Sequence, residues 1–371
     1  MNPQPKRVIV SGGGTGGHVF PAIAIADALR LLEPDIELLF VGAKGRMEME
    51  RVPKAGYRIE GLDIVGIQRR ITWKNLVLPF KLLASMRQAS LIIRQFQPDL
   101  AIGVGGYASG PILRVAAAKG VITMIQEQNS YAGITNRLLA KNAKRICVAY
   151  PGMEAFFPSA KIRLTGNPVR AEIAEIGEKK LEAYQEFKLD PEKKTVLVVG
   201  GSLGAKSLNE AMQMAPAMLE KHPDWQIIWQ IGKAYFEMFK DTSPARKEGI
   251  IASMFIEKMD LAYAMADLVV CRAGALTISE LMLAGKPSIL VPSPNVAEDH
   301  QTKNAKAVVE AGAAYMVTEN EIQDKLWEMV EILLEDPQKL EIIATKAKGL
   351  GTPNAAERIA EQILELIHNK A

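Results

Sequence analysis

Residues 12–18 join a glycine-rich turn to a histidine, His18, at the point where a helical pattern begins. The apolar run "RVIVS" precedes the glycines and "VFPAIAIADALRLL" follows His18, so the turn connects a strand to a helix. Backbone N–H groups at such a junction bind anionic phosphate. An unperturbed imidazole titrates near pH 6.5, so it accepts a proton readily at about neutral pH. The stretch therefore predicts a phosphate-bearing ligand, and it leaves the role of His18 open.

Gly12, Gly14 and Gly17 also fit the G-x-G-x-x-G pattern of dinucleotide-binding folds. That interpretation requires an acidic residue at the end of the second strand, where it binds the adenosine ribose. The second apolar run ends in "FVGAKG" without a carboxylate, which argues against NAD, and Lys44 leaves only NADP open. The sequence contains no G-x-x-x-x-G-K-[ST] phosphate loop, which argues against kinase and NTPase chemistry.

A second strand–glycine–helix junction occurs in "CRAGALTISELMLAGKP". Here a strand leads to Gly274, and we expect a helix to begin over residues 275–277 with Glu280 in its first turn. Open N–H groups at the helix start attract an anion, and a nearby carboxylate can accept both hydroxyls of a ribose. The combination predicts a nucleoside diphosphate. An acidic residue that merely complements the helix dipole explains Glu280 equally well.

Strand and helix patterns alternate along almost the whole chain, which is typical of parallel sheets covered by helices. The length of 371 residues suits two domains. A turn at Gly166, Asn167 and Pro168 separates two series of such units, so we expect an α/β fold with domains over residues 1–166 and 167–352. A terminal helix within residues 353–371 is expected to pack back on the first domain. The predicted strands cover residues 7–11, 37–42, 57–62, 100–105, 121–126 and 145–150, then 195–201, 226–232, 250–256, 268–274, 288–293 and 313–318.

Strand–glycine–helix junctions occur four times, over residues 12–17, 103–110, 200–207 and 271–280. Any one of them could serve only to let a helix pack closely on a strand. Because carboxyl ends of parallel strands meet at one edge of a sheet, two junctions in each half predict a cleft that holds a multiply phosphorylated ligand.

Composition excludes several classes of protein. The formal net charge of +3 is too small to argue for a nucleic-acid partner. Cys147 and Cys271 end apolar runs and lack metal-ligand spacing, so we expect two buried thiols. The start "MNPQPKR" has no apolar signal region, and no apolar stretch is long enough to span a bilayer, which predicts an intracellular, non-spanning chain.

Seven segments taken together resemble the MurG family of glycosyltransferases. They are "GGTGGHVFPAIAIADAL", "GVGGYASGP", "EQNSYAGITNRLLA", "TGNPVR", "GGSLGAKSLNE", "RAGALTISELMLAGKPSILVPSP" and "DHQTKNA". The resemblance implies a GT-B fold, in which two doubly wound Rossmann-like domains face each other across a cleft. It also implies inverting transfer of N-acetylglucosamine from UDP-GlcNAc to the 4-hydroxyl of the N-acetylmuramyl group of lipid I. The product would be lipid II, which is used in peptidoglycan synthesis, and the protein would be peripheral on the cytoplasmic face of the bacterial cell membrane.

The resemblance assigns most donor contacts to the second domain. Glu280 would accept the ribose hydroxyls, Arg170 would face the pyrophosphate, and the backbone of Ile256 would hold the uracil. Further donor contacts would come from Thr15, Gly16, Gly17, Asn129, Ser202, Ala275, Leu276, Thr277, Ile278, Ser279, Gln301 and Asn304.

The first domain would handle the acceptor. By resemblance, Gly13, Gly14, Tyr107 and Ser109 would surround the acceptor diphosphate. The attacking hydroxyl must lose a proton, and two residues compete as its base: His18, and Glu127 in "IQEQN" at a strand end. His18 could instead only hydrogen-bond the donor or the loop, and Glu127 could be an ordinary solvated carboxylate.

Many sugar transferases hold a metal with a D-x-D motif, and this sequence has none. We therefore expect no metal and no cofactor. Helix N-termini and Arg170 would stabilise the charge that develops on the departing UDP.

A basic apolar segment lies between Asp63 and Asp99, where 35 residues include six basic and no acidic side chains. Such a segment suits an anionic membrane surface. A core helix with a basic outer face is the competing interpretation, and Pro79 argues against one continuous straight helix. The residues expected to face the membrane are Trp73, Lys74, Leu76, Phe80 and Lys81.

Two other functions remain open from the sequence. A UDP-GlcNAc 2-epimerase would share the GT-B fold and the donor but would release UDP without an acceptor. A non-catalytic nucleotide-sugar-binding protein would bind the donor without turning it over.

Overall fold

The computed structural model describes residues 5–64, 78–296 and 299–369, including all side chains except those of residues 78–80 and 171. The chain divides into two units. Unit 1 comprises Met1–Val169 together with Asn354–Ala371, and unit 2 comprises Arg170–Pro353. The division falls directly after the turn formed by Gly166, Asn167 and Pro168.

Unit 1 contains a seven-stranded parallel sheet. Its central strands are buried because helices cover both faces: Val8, Ile9 and Val10 are all fully buried. In spatial order the strands are β3 (Arg58–Leu62), β2 (Glu37–Ala43), β1 (Arg7–Ser11), β4 (Leu100–Gly103), β5 (Ile122–Glu127), β6 (Arg145–Val148) and β7 (Ile162–Leu164).

The helices of unit 1 connect these strands. Pro79 lies at the start of the described part of its helix, Leu78–Phe96. The helices are α1 (Gly16–Leu32), α2 (Glu48–Lys54), α3 (Leu78–Phe96), α4 (Ser109–Ala118) and α5 (Ile134–Leu139), with short 3₁₀ turns at Met153–Ala155 and Ser159–Lys161.

The C-terminal helix, Ala355–His368, belongs to unit 1. It buries Ile359, Ile363 and Ile367, which recur every four residues on one face, in the same core as α1. On the outer side of this helix, Arg145 of β6 forms hydrogen bonds with Gln362 and an ion pair with Glu365 at 2.8 Å. A segment more than 180 residues away in sequence thereby completes the core of unit 1.

Unit 2 repeats the arrangement with a six-stranded parallel sheet. Its spatial order is β10 (Ile250–Ser253), β9 (Trp225–Gln230), β8 (Lys194–Val199), β11 (Leu268–Cys271), β12 (Ser288–Leu290) and β13 (Tyr315–Met316). The α-helices are α6 (Lys180–Phe187), α7 (Lys206–Ala211), α8 (Ala215–Lys221), α9 (Phe236–Phe239), α10 (Ser243–Arg246), α11 (Met259–Met265), α12 (Ala275–Ala284), α13 (His300–Glu310), α14 (Ile322–Leu334) and α15 (Pro337–Leu350). Two 3₁₀ segments cover Ala171–Lys179 and Met212–Met214.

The predicted doubly wound α/β fold is confirmed in both units. Every predicted strand is present, although those of unit 2 end two or three residues early, for example β8 at Val199 rather than at residue 201. Strand β7 was not predicted. In each unit the strand order reverses once, between β1 and β4 and between β8 and β11, and ligands of such folds bind outside the carboxyl ends at this switch point.

Within the described ranges, every helix falls short of the length or apolarity that crossing a bilayer requires.

Candidate functional site

Unit 2 has a pocket of about 400 Å³ outside the carboxyl ends of β8 and β11. Its wall consists of the glycine-rich turn over residues 200–206, the start of α12 at Gly274 and Thr277, and Gln301 of α13. The turn fits there because Gly204 has a φ of 90°, and a Cβ at this position would lie 2.3 Å from the carbonyl oxygen of Ile231. Ser202 lines the same wall. The pocket therefore occupies the switch point of unit 2.

The start of α12 supplies backbone donors to this region. Residues 275–277 have no intrahelical acceptor for their N–H groups, whereas the Ile278 N–H already bonds to the Gly274 carbonyl at 2.9 Å. The Ile278 side chain is buried in the core, and the Ser279 hydroxyl donates to the Ala275 carbonyl at 3.0 Å. The Ile278 side chain and the Ser279 hydroxyl are thus engaged within unit 2, and the predicted donor contacts of residues 275–279 stay predictions.

Gln301 and Asn304, predicted to act together on the sugar, lie in different environments. Gln301 lines the pocket, and its Oε1 accepts the Ser293 N–H at 2.8 Å, which fixes the orientation of the amide. Asn304, one turn later, is fully buried. The burial of Asn304 distinguishes it from Gln301, and its predicted contact with the sugar stays a prediction.

Glu280 lies in the second turn of α12, not in its first, and is bonded from two sides. Arg170 donates to its Oε1 from Nε at 3.3 Å and from Nη2 at 3.1 Å, and the Tyr263 hydroxyl donates to its Oε2 at 3.1 Å. Burial raises the pKa of Glu280 above its usual range, and Arg170 and Tyr263 act in the opposite direction. The Arg170 guanidinium, predicted to face a pyrophosphate, thus contacts Glu280 in this structure.

Tyr263 was not predicted. Burial, and after it the Glu280 carboxylate, raises the pKa of Tyr263 well above 10, so the phenol remains a neutral donor. Nothing in the local sequence around Tyr263 indicates this contact, because the two residues lie on different helices, α11 and α12.

Ile256 was predicted to hold a base through its backbone groups. Its N–H already donates to Gln230 Oε1 at 2.9 Å, and Gln230 Nε2 donates to the Gly201 carbonyl at 3.0 Å. Only the carbonyl of Ile256 is therefore consistent with the predicted role. Gln230 links this backbone position to the glycine-rich turn of the pocket.

Arg272, which lines the pocket, was also not predicted. It forms a bidentate pair with Glu319, at 2.5 and 3.2 Å, and also donates to Ser207 Oγ at 3.1 Å. The glycine-rich turn before α12 is thereby tied to the segment that follows β13. Sequence spacing could not reveal a pair whose members are 47 residues apart.

In unit 1, two glycine-rich turns pack against each other outside β1 and β4. A Cβ on Gly106 would lie 2.2 Å from the carbonyl oxygen of Gly13, and a Cβ on Gly13 would lie 2.2 Å from Glu48 Oε1. Glu48, which was not predicted, is fully buried and accepts the N–H groups of Gly14 and Ala43, both at 2.9 Å. This carboxylate holds the first glycine turn in place.

The contact with Glu48 changes the predicted acceptor site. Because the Gly14 N–H donates to Glu48, it is not presented to a phosphate, and a carboxylate beside Gly13 repels one. Ser109 is also fully buried, with its hydroxyl donating to the Gly106 carbonyl at 2.8 Å. The Gly14 N–H and the Ser109 hydroxyl are thus engaged within unit 1, and Tyr107 is half exposed. The acceptor contacts of Gly13, Gly14, Tyr107 and Ser109 stay predictions.

His18 lies in the first turn of α1, partly exposed, after Thr15, Gly16 and Gly17. Its Nδ1 is 3.1 Å from Gln128 Oε1. The amide oxygen can only accept, so Nδ1 carries the proton and the lone pair of the neutral ring is on Nε2. An imidazole in this form can take a proton from a hydroxyl at Nε2.

Glu127, the competing base, is bonded entirely to its own loop. Its Oε1 accepts from the backbone and side-chain nitrogens of Asn129, and its Oε2 accepts from the Gly133 N–H at 3.0 Å and from Asn136 Nδ2 at 2.9 Å. The residue is only 2% exposed. Four donors and burial favour His18 over Glu127 as the base, and the choice between them stays a prediction. The side chain of Asn129, predicted to contact the donor, serves this loop as well.

The segment predicted to face a membrane is only partly described. Trp73, Lys74 and Leu76 lie outside the described residues, as does the side chain of Phe80. Lys81 is exposed on α3 and is followed by Leu82 and Leu83, which are also exposed. The predicted membrane face stays a prediction.

Among the described residues, one set of side chains has metal-ligand spacing: His222, Glu331 and Glu335. Glu331 Oε1 already accepts from Lys221 Nζ and lies 2.9 Å from His222 Nε2. The lysine ammonium occupies the position of a cation, which argues against a metal there.

Comparison with known proteins gives consistent results. Models of the glycosyltransferase family 28 N-terminal and C-terminal domains match residues 8–148 and 195–363. The chain is 50% identical over 373 residues to the UDP-N-acetylglucosamine–N-acetylmuramyl-(pentapeptide) pyrophosphoryl-undecaprenol N-acetylglucosamine transferase of Flavobacterium psychrophilum, with 99% of each chain covered.

Solved structures agree with this. The crystal structure of Acinetobacter baumannii MurG is 31% identical, with a TM-score of 0.76 over 97% of this chain and all of that chain. A UDP-GlcNAc 2-epimerase from Neisseria meningitidis bound to UDP-GlcNAc has a TM-score of 0.68 over 97% of this chain and all of that chain. At 16% identity, the second likeness concerns the fold alone.

Glu48 provides a test of how the first glycine turn is held. We expect Glu48→Ala to lower the stability of unit 1 by about 2–4 kcal/mol, because two buried N–H groups lose their acceptor. Glu50→Ala on the same helix removes an exposed carboxylate and should have an effect within about 0.5 kcal/mol. Hydrogen exchange of the β1 and β2 amides measures both, and equal protection in the two variants would contradict the structural role of Glu48.

Proposed function

The chain belongs to the MurG family of glycosyltransferases, and from this premise we propose that it transfers N-acetylglucosamine from UDP-GlcNAc to lipid I. The acceptor group is the 4-hydroxyl of the N-acetylmuramyl unit, and the product is lipid II for peptidoglycan synthesis. The observation that carries the proposal is the pocket at the switch point of unit 2, where a glycine-rich turn and a helix start lie side by side. Backbone donors of this kind suit a diphosphate.

Donor recognition is assigned to unit 2. Residues 275–277 and Ser202 offer N–H and hydroxyl donors to the pyrophosphate, and Gln301 faces the sugar. The Ile256 carbonyl would accept the N3–H of uracil, which cytosine lacks. Glu280 would accept the ribose hydroxyls, supported by its ionic contact with Arg170. Thr15, Gly16 and Gly17 of unit 1 remain proposed donor contacts.

The base is assigned to His18. As its Nε2 takes the proton of the 4-hydroxyl, the hydroxyl oxygen forms a bond to the anomeric carbon of N-acetylglucosamine. The bond between that carbon and the β-phosphate oxygen breaks at the same time, and its electron pair leaves with UDP. A single displacement of this kind inverts the anomeric centre.

We propose that the transfer needs no metal. The missing D-x-D motif supports this, as does the set of oriented N–H groups at the start of α12, which can stabilise charge on departing UDP. Tyr107 is retained as a proposed contact of the acceptor.

We further propose that the enzyme works as a peripheral protein at the cytoplasmic face of the membrane. The acceptor is a lipid, and the basic apolar segment before and within α3 suits an anionic surface. Lys81, Leu82 and Leu83 are among its exposed described members.

The transfer itself can be measured with purified protein, labelled UDP-GlcNAc and a lipid I analogue in the presence of a chelator. We expect label in the lipid product, and His18→Ala should reduce kcat by about 10²–10⁴-fold at unchanged donor affinity because a general base is lost. Glu127→Ala separates the alternatives, since a larger loss there with intact folding would restore Glu127 as the base. Release of UDP without acceptor would favour an epimerase-like enzyme, and strict dependence on a divalent metal would reject the metal-free mechanism.

The affinity for UDP-GlcNAc should depend on pH through Glu280. Because burial raises its pKa above 4.5, the carboxylate gains a proton, and loses acceptor capacity for ribose, at a higher pH than an ordinary glutamate. We expect the Kd measured by calorimetry to increase as the pH falls through this range. Tyr263→Phe should move the transition to higher pH, because the phenol lowers the pKa of Glu280, and Glu280→Gln should abolish it. An identical pH dependence in all three proteins would exclude Glu280 from donor binding.

Membrane association can be tested by charge reversal. Lys74→Glu combined with Lys81→Glu should weaken partitioning onto anionic vesicles by about 30-fold, at about 1 kcal/mol for each basic residue near the lipid. Lys119→Glu combined with Lys144→Glu changes the net charge equally at exposed positions near the amino ends of the strands, and should have a smaller effect. Equal partitioning of both double variants would support a core helix with a basic outer face instead.

A further inference from the structure

Three buried amide side chains in unit 1 lead directly to His18, and none of them has a role in the proposed function so far. Gln128 is 2% exposed, Gln126 is fully buried and Asn167 is 3% exposed. Placing three amides in a core is costly unless every polar atom has a partner. Their arrangement therefore calls for a physical explanation.

The direction of each hydrogen bond can be assigned without ambiguity. Gln128 Nε2 lies 2.7 Å from the carbonyl oxygen of Val104, which can only accept, so Nε2 faces Val104 and Oε1 faces His18. The second N–H of Gln128 donates to Gln126 Oε1. Gln126 Nε2 then donates to Asn167 Oδ1 at 3.1 Å, and Asn167 Nδ2 returns to the Gln128 carbonyl at 3.0 Å.

These hydrogen bonds determine which atom of Gln128 faces the His18 ring. With both protons of Gln128 committed, its amide cannot rotate, and it presents a fixed acceptor 3.1 Å from His18 Nδ1. A fixed acceptor at Nδ1 selects the tautomer with the proton on Nδ1 and the lone pair on Nε2. Gly105 closes the other side, because a Cβ there would lie 2.6 Å from the same Nδ1.

We propose that Gln128 is a positioning residue, and that Gln128, Gln126 and Asn167 form a relay that holds His18 in the tautomer needed for proton abstraction. The proposal rests on the proposed function, in which Nε2 of His18 takes the proton of the attacking hydroxyl. The acceptor at Nδ1 is a neutral amide, and its hydrogen bond strengthens when the ring becomes an imidazolium. Since Asn167 lies in the turn that ends unit 1, the relay also connects the base to that turn.

The test combines nitrogen-15 NMR of labelled histidine with kinetics. The chain has four histidines, so His18→Asn identifies the signal of His18. We expect the wild-type ring to show the pattern of a protonated Nδ1. Gln128→Met should shift the ring towards the Nε2–H tautomer and reduce kcat by about 10–100-fold, part of the contribution of a general base, with KM for the donor unchanged.

Two further variants test whether the effect of Gln128→Met is purely structural. Gln226→Met removes a comparably buried amide in unit 2 and should leave both the tautomer and kcat unchanged. Gln126→Leu keeps the Val104 contact of Gln128 and should give a smaller shift in the same direction, which provides a result even where Gln128→Met does not fold.

The outcomes separate the relay from the proposed function. A wild-type ring protonated on Nε2, or a loss of kcat in Gln128→Met with an unchanged tautomer, would overturn the relay while transfer activity stands. A ring with the expected tautomer in a protein that transfers no sugar would refute the proposed function and leave the geometry of the relay intact. The proposal holds only where tautomer and kcat change together.

Discussion

Both units are built around the same constraint: parallel strands release the chain at one edge of the sheet, and the strand order reverses at the centre of that edge. Outside β1 and β4, and again outside β8 and β11, two turns must leave the sheet side by side. They fit only where side chains are missing, as the contacts of Gly106 with Gly13 and of Gly204 with the Ile231 carbonyl demonstrate. Helix starts and polar side chains then gather at this edge, so the chemistry of the enzyme depends on backbone packing.

Three carboxylates near these edges show how hydrogen-bond partners decide the role of a residue. Glu127 accepts hydrogen bonds from four N–H donors of its own loop, and Glu48 accepts them from two N–H groups of neighbouring turns. Glu280 instead bonds to two side chains, Arg170 and Tyr263. When a ligand binds, side chains can move more readily than the backbone of a packed turn. Of the three, only Glu280 is therefore suited to exchange partners with a substrate.

The sequence predicted what depends on local pattern and missed what depends on distant pairs. Apolar runs located every strand except the three-residue β7, and glycine spacing located both switch points. Glu48, Tyr263 and Arg272 were missed because their partners, at Gly14, Glu280 and Glu319, come from other elements of the fold. The same limitation applies to Glu127, since a strand-end carboxylate looks solvated until the loop that folds over it is known. For Asn304, helical spacing gives the angle around α13 but not the depth at which that side is buried.

The charge of the donor pocket follows from this pairing. Arg272 faces Glu319, so its guanidinium adds no full positive charge to the wall, and Arg170, outside the wall, is likewise paired with Glu280. Lys206 lines the pocket but pairs with Glu210 at 3.4 Å on an exposed surface, where water screens its charge. Under the proposed function, the charge on departing UDP is then stabilised chiefly by oriented N–H groups at the start of α12. Such dipoles are already in place before the reaction and need no reorganisation as the charge develops, whereas a mobile cation would first have to be drawn from its partner.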